Sequence, residues 1–178
     1  MDPDAEWLIA RFAMAPIPVE GGWFSQTWRS SIVASSALPA ASAGVPGGEG
    51  RPEGTAILAL FCPVPEGFSA LHRLPTTEVW HFCGGDPFNL LLLHGDGTSS
   101  DVVLGPDPRV GHDVQFPVPP ATWMGGEVAP GGRFSLVGCT MAPGFTSEGF
   151  EAGVRETLMT LYPERAGLVD RLTRSNEG

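Results

Sequence analysis

Lysine is absent from this 178-residue chain, so its ten basic side chains are all arginines. That removes Schiff-base chemistry on a lysine amine and the lysine of a phosphate-cradling P-loop. Basic charge is scarce altogether. The formal net charge is −10, and an acidic chain without a basic stripe is unsuited to nucleic acid or to an anionic membrane. Cysteine is limited to Cys62, Cys83 and Cys139, an odd number with no CxxC pair, which fits a reducing, intracellular compartment. No apolar run reaches membrane-spanning length, and the N-terminus, Met-Asp-Pro-Asp-Ala-Glu, is acidic where a signal peptide would be basic. The expected location is therefore the cytoplasm. Tyrosine occurs once, as Tyr162.

What the chain does contain is apolar residues (42%) punctuated by 24 glycines and 18 prolines. This composition fits an all-β domain with frequent turns, and the length suits one domain with its own core. A short helix is expected over residues 4–12, capped by Asp4, followed by an aromatic strand from Trp23 to Arg29. Residues 30–54 are rich in Ala, Ser, Gly and Pro and read as a surface loop inserted between strands. Short strands are then expected at 55–61, 69–74, 77–82, 88–93, 102–104, 114–118, 122–124 and 134–141. The turn His94-Gly-Asp-Gly97 closes one hairpin. After residue 146 the period becomes helical: Phe150, Val154, Leu158 and Leu161 follow Ser147 as a cap, and helices are expected within 147–174. Many short strands without alternating helices suggest a sandwich or barrel rather than a parallel α/β sheet.

The densest chemistry lies between Gly67 and Asp86. There His72, Glu78, Trp80 and His81 sit on what read as two short strands. His72 is followed six residues later by Glu78, and Glu78 seven residues later by Gly85. This pattern resembles the first motif of the cupins, with His72 at the first histidine, Leu74 at the place of the second, and Glu78 and Gly85 at the acid and glycine. Further blocks resemble one cupin family in particular, cupin superfamily 5, long filed as a domain of unknown function. They are Glu20-Gly-Gly-Trp-Phe, Thr27-Trp-Arg29-Ser30, Gly84-Gly-Asp86-Pro87, Val118-Pro-Pro-Ala-Thr-Trp123 and Val137-Gly-Cys139-Thr-Met-Ala-Pro-Gly-Phe145. The resemblance covers nearly the whole chain except the 30–54 insertion. It implies a double-stranded β-helix of jelly-roll type, a ligand pocket in the barrel mouth and a homodimer.

Strand alternation sorts the candidates. With Glu78 pointing into the barrel, as its motif position implies, Trp80 and Phe82 share its face while His81 faces out. His72 lies on the same side as Leu74. His72 and Glu78 are therefore the expected catalytic pair. Trp80, Gln115, Trp123, Arg29, Trp23 and Phe82 are the expected ligand-binding residues, since aromatics wall most small-molecule sites. Arg29 is a candidate anchor for an anionic group, with an ion pair to Glu20 as the alternative.

Two readings of the pair remain open. In one, His72 and Glu78 hold a divalent transition metal, as in metal-dependent cupin oxygenases or lyases. The resemblance also places the metal-binding histidine of the second motif at Met124, five residues after Pro119, so two of the usual four ligands are replaced. In the other, the pair is metal-free and polar. The nearest metal-free analogy is the nucleotide-sugar 3,5-epimerases, which the chain distantly resembles. There His72 would act as base and Arg29 and Arg73 would clamp phosphates, but that family's acid is a tyrosine and the only one here falls in the C-terminal helix. The expected function is binding of a small polar, carbohydrate-like molecule, with isomerase-like catalysis or pure sensing as its two forms.

Overall fold

The computed structural model describes residues 1–33 and 51–174; most of the expected 30–54 loop, residues 34–50, lies outside them. A first helix α1 (Pro3–Arg11) is capped two residues earlier than expected, because Asp2 rather than Asp4 accepts a backbone N–H (Asp4 N to Asp2 Oδ1, 2.9 Å) and Pro3 occupies the first helical position. The strands follow as β1 (Ala15–Pro16), β2 (Trp23–Arg29), β3 (Thr55–Phe61), β4 (Ser69–Arg73), β5 (Glu78–Gly85) and β6 (Phe88–Leu93). Next come β7 (Ser99–Leu104), β8 (Gln115–Val118), β9 (Trp123–Val128), β10 (Ser135–Met141) and β11 (Glu151–Ala152), and then α2 (Arg155–Leu161) and α3 (Ala166–Arg171).

The strands form two antiparallel sheets, ordered β1-β2-β3-β10-β5-β8 and β11-β4-β9-β6-β7. This is the expected all-β jelly-roll barrel, in which two sheets face each other over one core. Period-2 alternation divides the apolar residues between its inside and its outside. In β6, Leu90 and Leu92 point into the barrel, whereas Leu91 and Leu93 pack with Leu158, Tyr162, Val169 and Leu172 of the C-terminal helices. Helix α1 covers the outside of the other sheet, where Ala5 meets Leu60, Cys62 and Leu136. Between the sheets, Phe61, Trp80 and Phe88 cluster at centroid separations of 4.9–6.2 Å, Trp80 stacked on both phenylalanines.

The expected C-terminal helix begins later than its sequence pattern suggests. Ser147 makes no capping hydrogen bond; residues 147–149 form one 3₁₀ turn, and Glu151–Ala152 pairs with β4 at Arg73 and His72. The helix starts only after Gly153, at Arg155. Phe150, which has helical spacing with Val154, is instead packed against the barrel interior, so tertiary contact overrides the local period. Among the described residues no helix is long and apolar enough to cross a membrane.

Candidate functional site in the barrel

The site begins with β4 and β5, joined by the short turn around Pro75. Strand β4 delivers His72, only 2% exposed, and β5 opens with Glu78, 7% exposed. His72 Nδ1 lies 2.8 Å from the Ala70 carbonyl oxygen. A carbonyl can only accept, so Nδ1 carries a proton, and in the neutral form of the ring Nε2 is the free nitrogen. Phe150 stacks on the imidazole at 5.2 Å between centroids and 18° between planes. The indole N–H of Trp80 donates to Glu78 Oε2 at 2.8 Å, fixing the carboxyl group from below.

Both residues line a cavity of about 470 Å³. Its walls are mainly apolar: Ile17, Phe24, Ile57, Leu74, Met141 and Phe150 all contribute. Val19 and Phe145, both exposed, mark its mouth. The volume lies within the range of small-molecule sites, on the order of 300–1,000 Å³. Burial pushes the Glu78 carboxyl up to about 7; the nearby His72 and the Trp80 indole oppose that shift, while Glu20 adds to it. Glu78 is thus a carboxyl group that exchanges its proton near neutrality. Cys139 shares the lining, but burial and the neighbouring carboxylates hold its thiol well above the usual range, so it is a buried apolar group rather than a nucleophile.

Of the expected site residues, only His72 and Glu78 come together on the cavity wall. Trp80 is core, 1% exposed, and touches the site through its indole N–H alone. Phe82 packs against the barrel core away from the lining. Trp123 faces the opposite way, because β9 turns Met124 inward and Trp123 toward α2 and α3, where the Arg73 guanidinium lies 4.6 Å over its ring. Gln115 is exposed and pairs with His81 across the outer face, its amide nitrogen 2.9 Å from His81 Nδ1. Trp23 is turned to the α1 cluster, since on β2 it is Phe24 and Gln26 that reach the cavity. Arg29 stands near the rim, its Nη1 donating to the Phe145 carbonyl at 3.5 Å, without lining the cavity. Arg73 is held in a bidentate pair with Glu151. The Tyr162 hydroxyl donates to the His94 carbonyl at 2.7 Å on the far side of the second sheet.

Most of the lining escaped the sequence reading, Glu20, Phe24 and Phe150 among it. The alternation of β2 carried a signal for Phe24, placing it with Gln26 on the face opposite Trp23. Glu20 belongs to a turn, and its partner, the Ser69 hydroxyl at 2.7 Å, is distant in sequence.

The residues do not make up a cupin metal centre. Leu74 is on the lining, and Met124, paired in register with His72, is fully buried. Both stand where the cupin motifs have histidine. Among the described residues no three His, Cys, Asp or Glu side chains gather as a ligand group. A lone His and Glu, the latter engaged by an indole, do not fit a divalent ion that takes four or more ligands.

Known proteins place this architecture. A crystal structure of a Shewanella oneidensis protein is 28% identical and superposes with a TM-score of 0.82, covering 97% of this chain and 98% of its own. A hypothetical protein from Leishmania major is 30% identical at the same TM-score, with 96% and 99% coverage. A cupin 2 domain-containing protein from Halorhodospira halophila shares the fold at 15% identity and TM-score 0.52, over 89% of this chain and 86% of that one. No curated protein matches. The family model described as "Cupin superfamily (DUF985)" matches residues 6–153, and the chain belongs to that family, Cupin_5.

Proposed function

We propose that this protein binds a small molecule in the barrel cavity, with the ligand's apolar body against Ile57, Leu74, Met141 and Phe150 and its polar end at His72 and Glu78. The observation that carries this reading is the cavity of about 470 Å³ with a mainly apolar wall on which two polar side chains, His72 and Glu78, are each over nine-tenths buried. Such a wall suits a sugar poorly, because each hydroxyl set against its apolar part loses water without gaining a partner, at a cost of about 1–3 kcal/mol. A nucleotide sugar would also need cations at the cavity. Neither Arg29 nor Arg73 is on its lining, and both have partners elsewhere.

The reading is tested by methyl NMR of selectively labelled methionines, titrated with a panel of compounds of about eight to twelve heavy atoms having one polar end. Saturable shifts at Met141 that vanish in a folded Leu74→Trp variant support it. Shifts confined to surface methyls, or equal binding in that variant, would sink it.

An isomerase-like proton transfer at the same pair is a second reading. It is favoured by a cavity-lining imidazole whose Nδ1 is held by the Ala70 carbonyl, on the same wall as a carboxyl that burial raises to about 7. Any compound that binds is then incubated in D₂O. Deuterium on carbon with the wild type but not with His72→Asn supports catalysis; an unchanged mass with both leaves binding alone.

A further inference from the structure

The cavity's polar groups are unbalanced in a way that bears on its occupant. Glu20 and Glu78 both line it, together with His72, whose Nε2 has no hydrogen-bond partner among the described residues although the side chain is 98% buried. Glu20, ionised Glu78 and the free nitrogen of a neutral His72 ring are acceptors, and Gln26, Thr55 and Ser147, which also line the cavity, can accept as well as donate. No arginine lines it among the described residues, and the sequence of residues 34–50 and 175–178 contains neither arginine nor lysine. Three phenylalanines, Phe24, Phe145 and Phe150, supply aromatic surface around the same space.

Glu20 is placed there by several independent contacts. Val19 before it has φ +66°, a left-handed conformation that a β-branched residue rarely adopts, and the Glu20 N–H closes a three-residue turn onto the Pro18 carbonyl at 2.7 Å. The Ser69 hydroxyl donates to Glu20 Oε1 at 2.7 Å. The Glu20 carbonyl accepts from Ala70 N at 3.0 Å and from Arg174 Nη2 at 2.8 Å. Arg174 runs over Gly21, occupying the space a Cβ would take, and is itself held by Glu66 at 2.7 Å. A strained residue persists where the surroundings over-determine it, commonly at a ligand site. Here that strain presents a carboxylate at the cavity mouth.

We infer that the ligand of this cavity is a small primary or secondary amine bound as its ammonium ion, with Glu20 and Glu78 as charge partners, His72 Nε2 as a further acceptor, and the phenylalanines against its carbon body. An ammonium group donates two or three hydrogen bonds and accepts none, which matches an acceptor-rich site. Aromatic faces favour a cation over a neutral group of the same shape. A carboxylate or phosphate ligand would face the Glu20 and, above about pH 7, the Glu78 carboxylate, with no arginine on the lining among the described residues. A bare metal ion is not matched, because among the described residues no three His, Cys, Asp or Glu side chains gather as a ligand group; an ammonium group needs only one or two acceptors in contact, and a further carboxylate acts on its charge at longer range. The inference rests on the small-molecule reading above and narrows it to one charge class.

The test uses three probes of one shape on the wild-type full chain at pH 8: 2-phenylethylamine, 2-phenylethanol and 3-phenylpropanoate. Binding is followed at the Met141 methyl and by calorimetry. The amine is expected to bind about tenfold or more tightly than the alcohol, and the carboxylate not measurably. A folded Glu20→Gln variant is expected to lose most of the preference for amine over alcohol. Alcohol or carboxylate binding as tightly as the amine at Met141 would overturn the ammonium assignment while leaving the cavity reading intact. A preference unchanged in Glu20→Gln would overturn the role of Glu20. No response from any of the three would overturn both readings.

Discussion

Replacing Glu78 with glutamine asks whether this carboxyl group is held protonated by the fold. In the folded protein burial raises its titration from an ordinary 4.5 to about 7, against the opposing pull of His72. Unfolded, the group regains water and ionises in the usual range. Between these two values the folded chain keeps a proton that the unfolded chain has released, so stability is greatest below about 4.5 and falls as the pH rises through about 7. The gap corresponds to about 3 kcal/mol. Glutamine is close in shape, can accept the Trp80 N–H through its amide oxygen, and does not titrate. The assay is urea unfolding of wild type and Glu78→Gln at pH 4.5, 6 and 7.5, comparing the difference between the two proteins so that all other titrations cancel. The wild type should lose about 3 kcal/mol relative to the variant across that window. A difference constant to within about 0.5 kcal/mol would mean that Glu78 ionises as an exposed carboxylate does, and the description of the site as a buried pair would be refuted.

Elemental analysis of freshly purified protein should give no stoichiometric transition metal; a near-equimolar metal that is lost in His72→Ala would show a ligand set rebuilt around Leu74 and Met124. Trp80→Phe should keep the fold, cost about 1–3 kcal/mol by leaving Glu78 Oε2 unbonded, and move the pH-dependent loss of stability to higher pH; an unmoved profile in the same urea series would remove the indole from the account. Tyr162→Phe should lower the unfolding free energy by about 1 kcal/mol through its lost bond to the His94 carbonyl and leave probe binding at Met141 unaltered; altered binding would refute the placement of Tyr162 outside the site. Gly126→Ala should cost about 2 kcal/mol or more, read by thermal unfolding, because a Cβ there would stand 2.5 Å from the Phe88 ring between the sheets; near-neutral stability would show that this part of the barrel is loosely packed.

Strand existence was written locally in this sequence. The apolar runs of β3 and β6 and the turn glycines recur at short range, and β2, β3 and β6 occupy the expected residues. The spacing of His72, Glu78 and Gly85 marked two residues that do line one cavity, because the motif turns both inward from consecutive strands, β4 in one sheet and β5 in the facing one. Strand alternation, without knowledge of which phase each strand takes, misplaced the aromatics. Trp23, Trp123 and Gln115 each lie on the outer face, and for Trp23 and Trp123 the cavity or core position belongs to the neighbouring residue, Phe24 or Met124. A shift of one residue exchanges the faces, and composition alone does not set that phase.

Other features depended on contacts between distant segments, which no local pattern encodes. Phe150 has the spacing of a helix but stacks on His72, because filling the barrel mouth and pairing Glu151–Ala152 with β4 outweigh one more helical turn. Glu20 is a turn residue until Ser69, Ala70 and Arg174, respectively 49, 50 and 154 positions away, fix it at the cavity. The raised titration of Glu78 follows from desolvation, a property of the assembled interior rather than of the residue. The sequence by itself determined the β class, the family and the His72–Glu78 pair, because periodicity and motif spacing are local. The apolar, acceptor-rich character of the cavity was decided only by tertiary packing, since it depends on which side chains from β2, β3, β10 and the 17–20 and 145–150 segments meet around that pair.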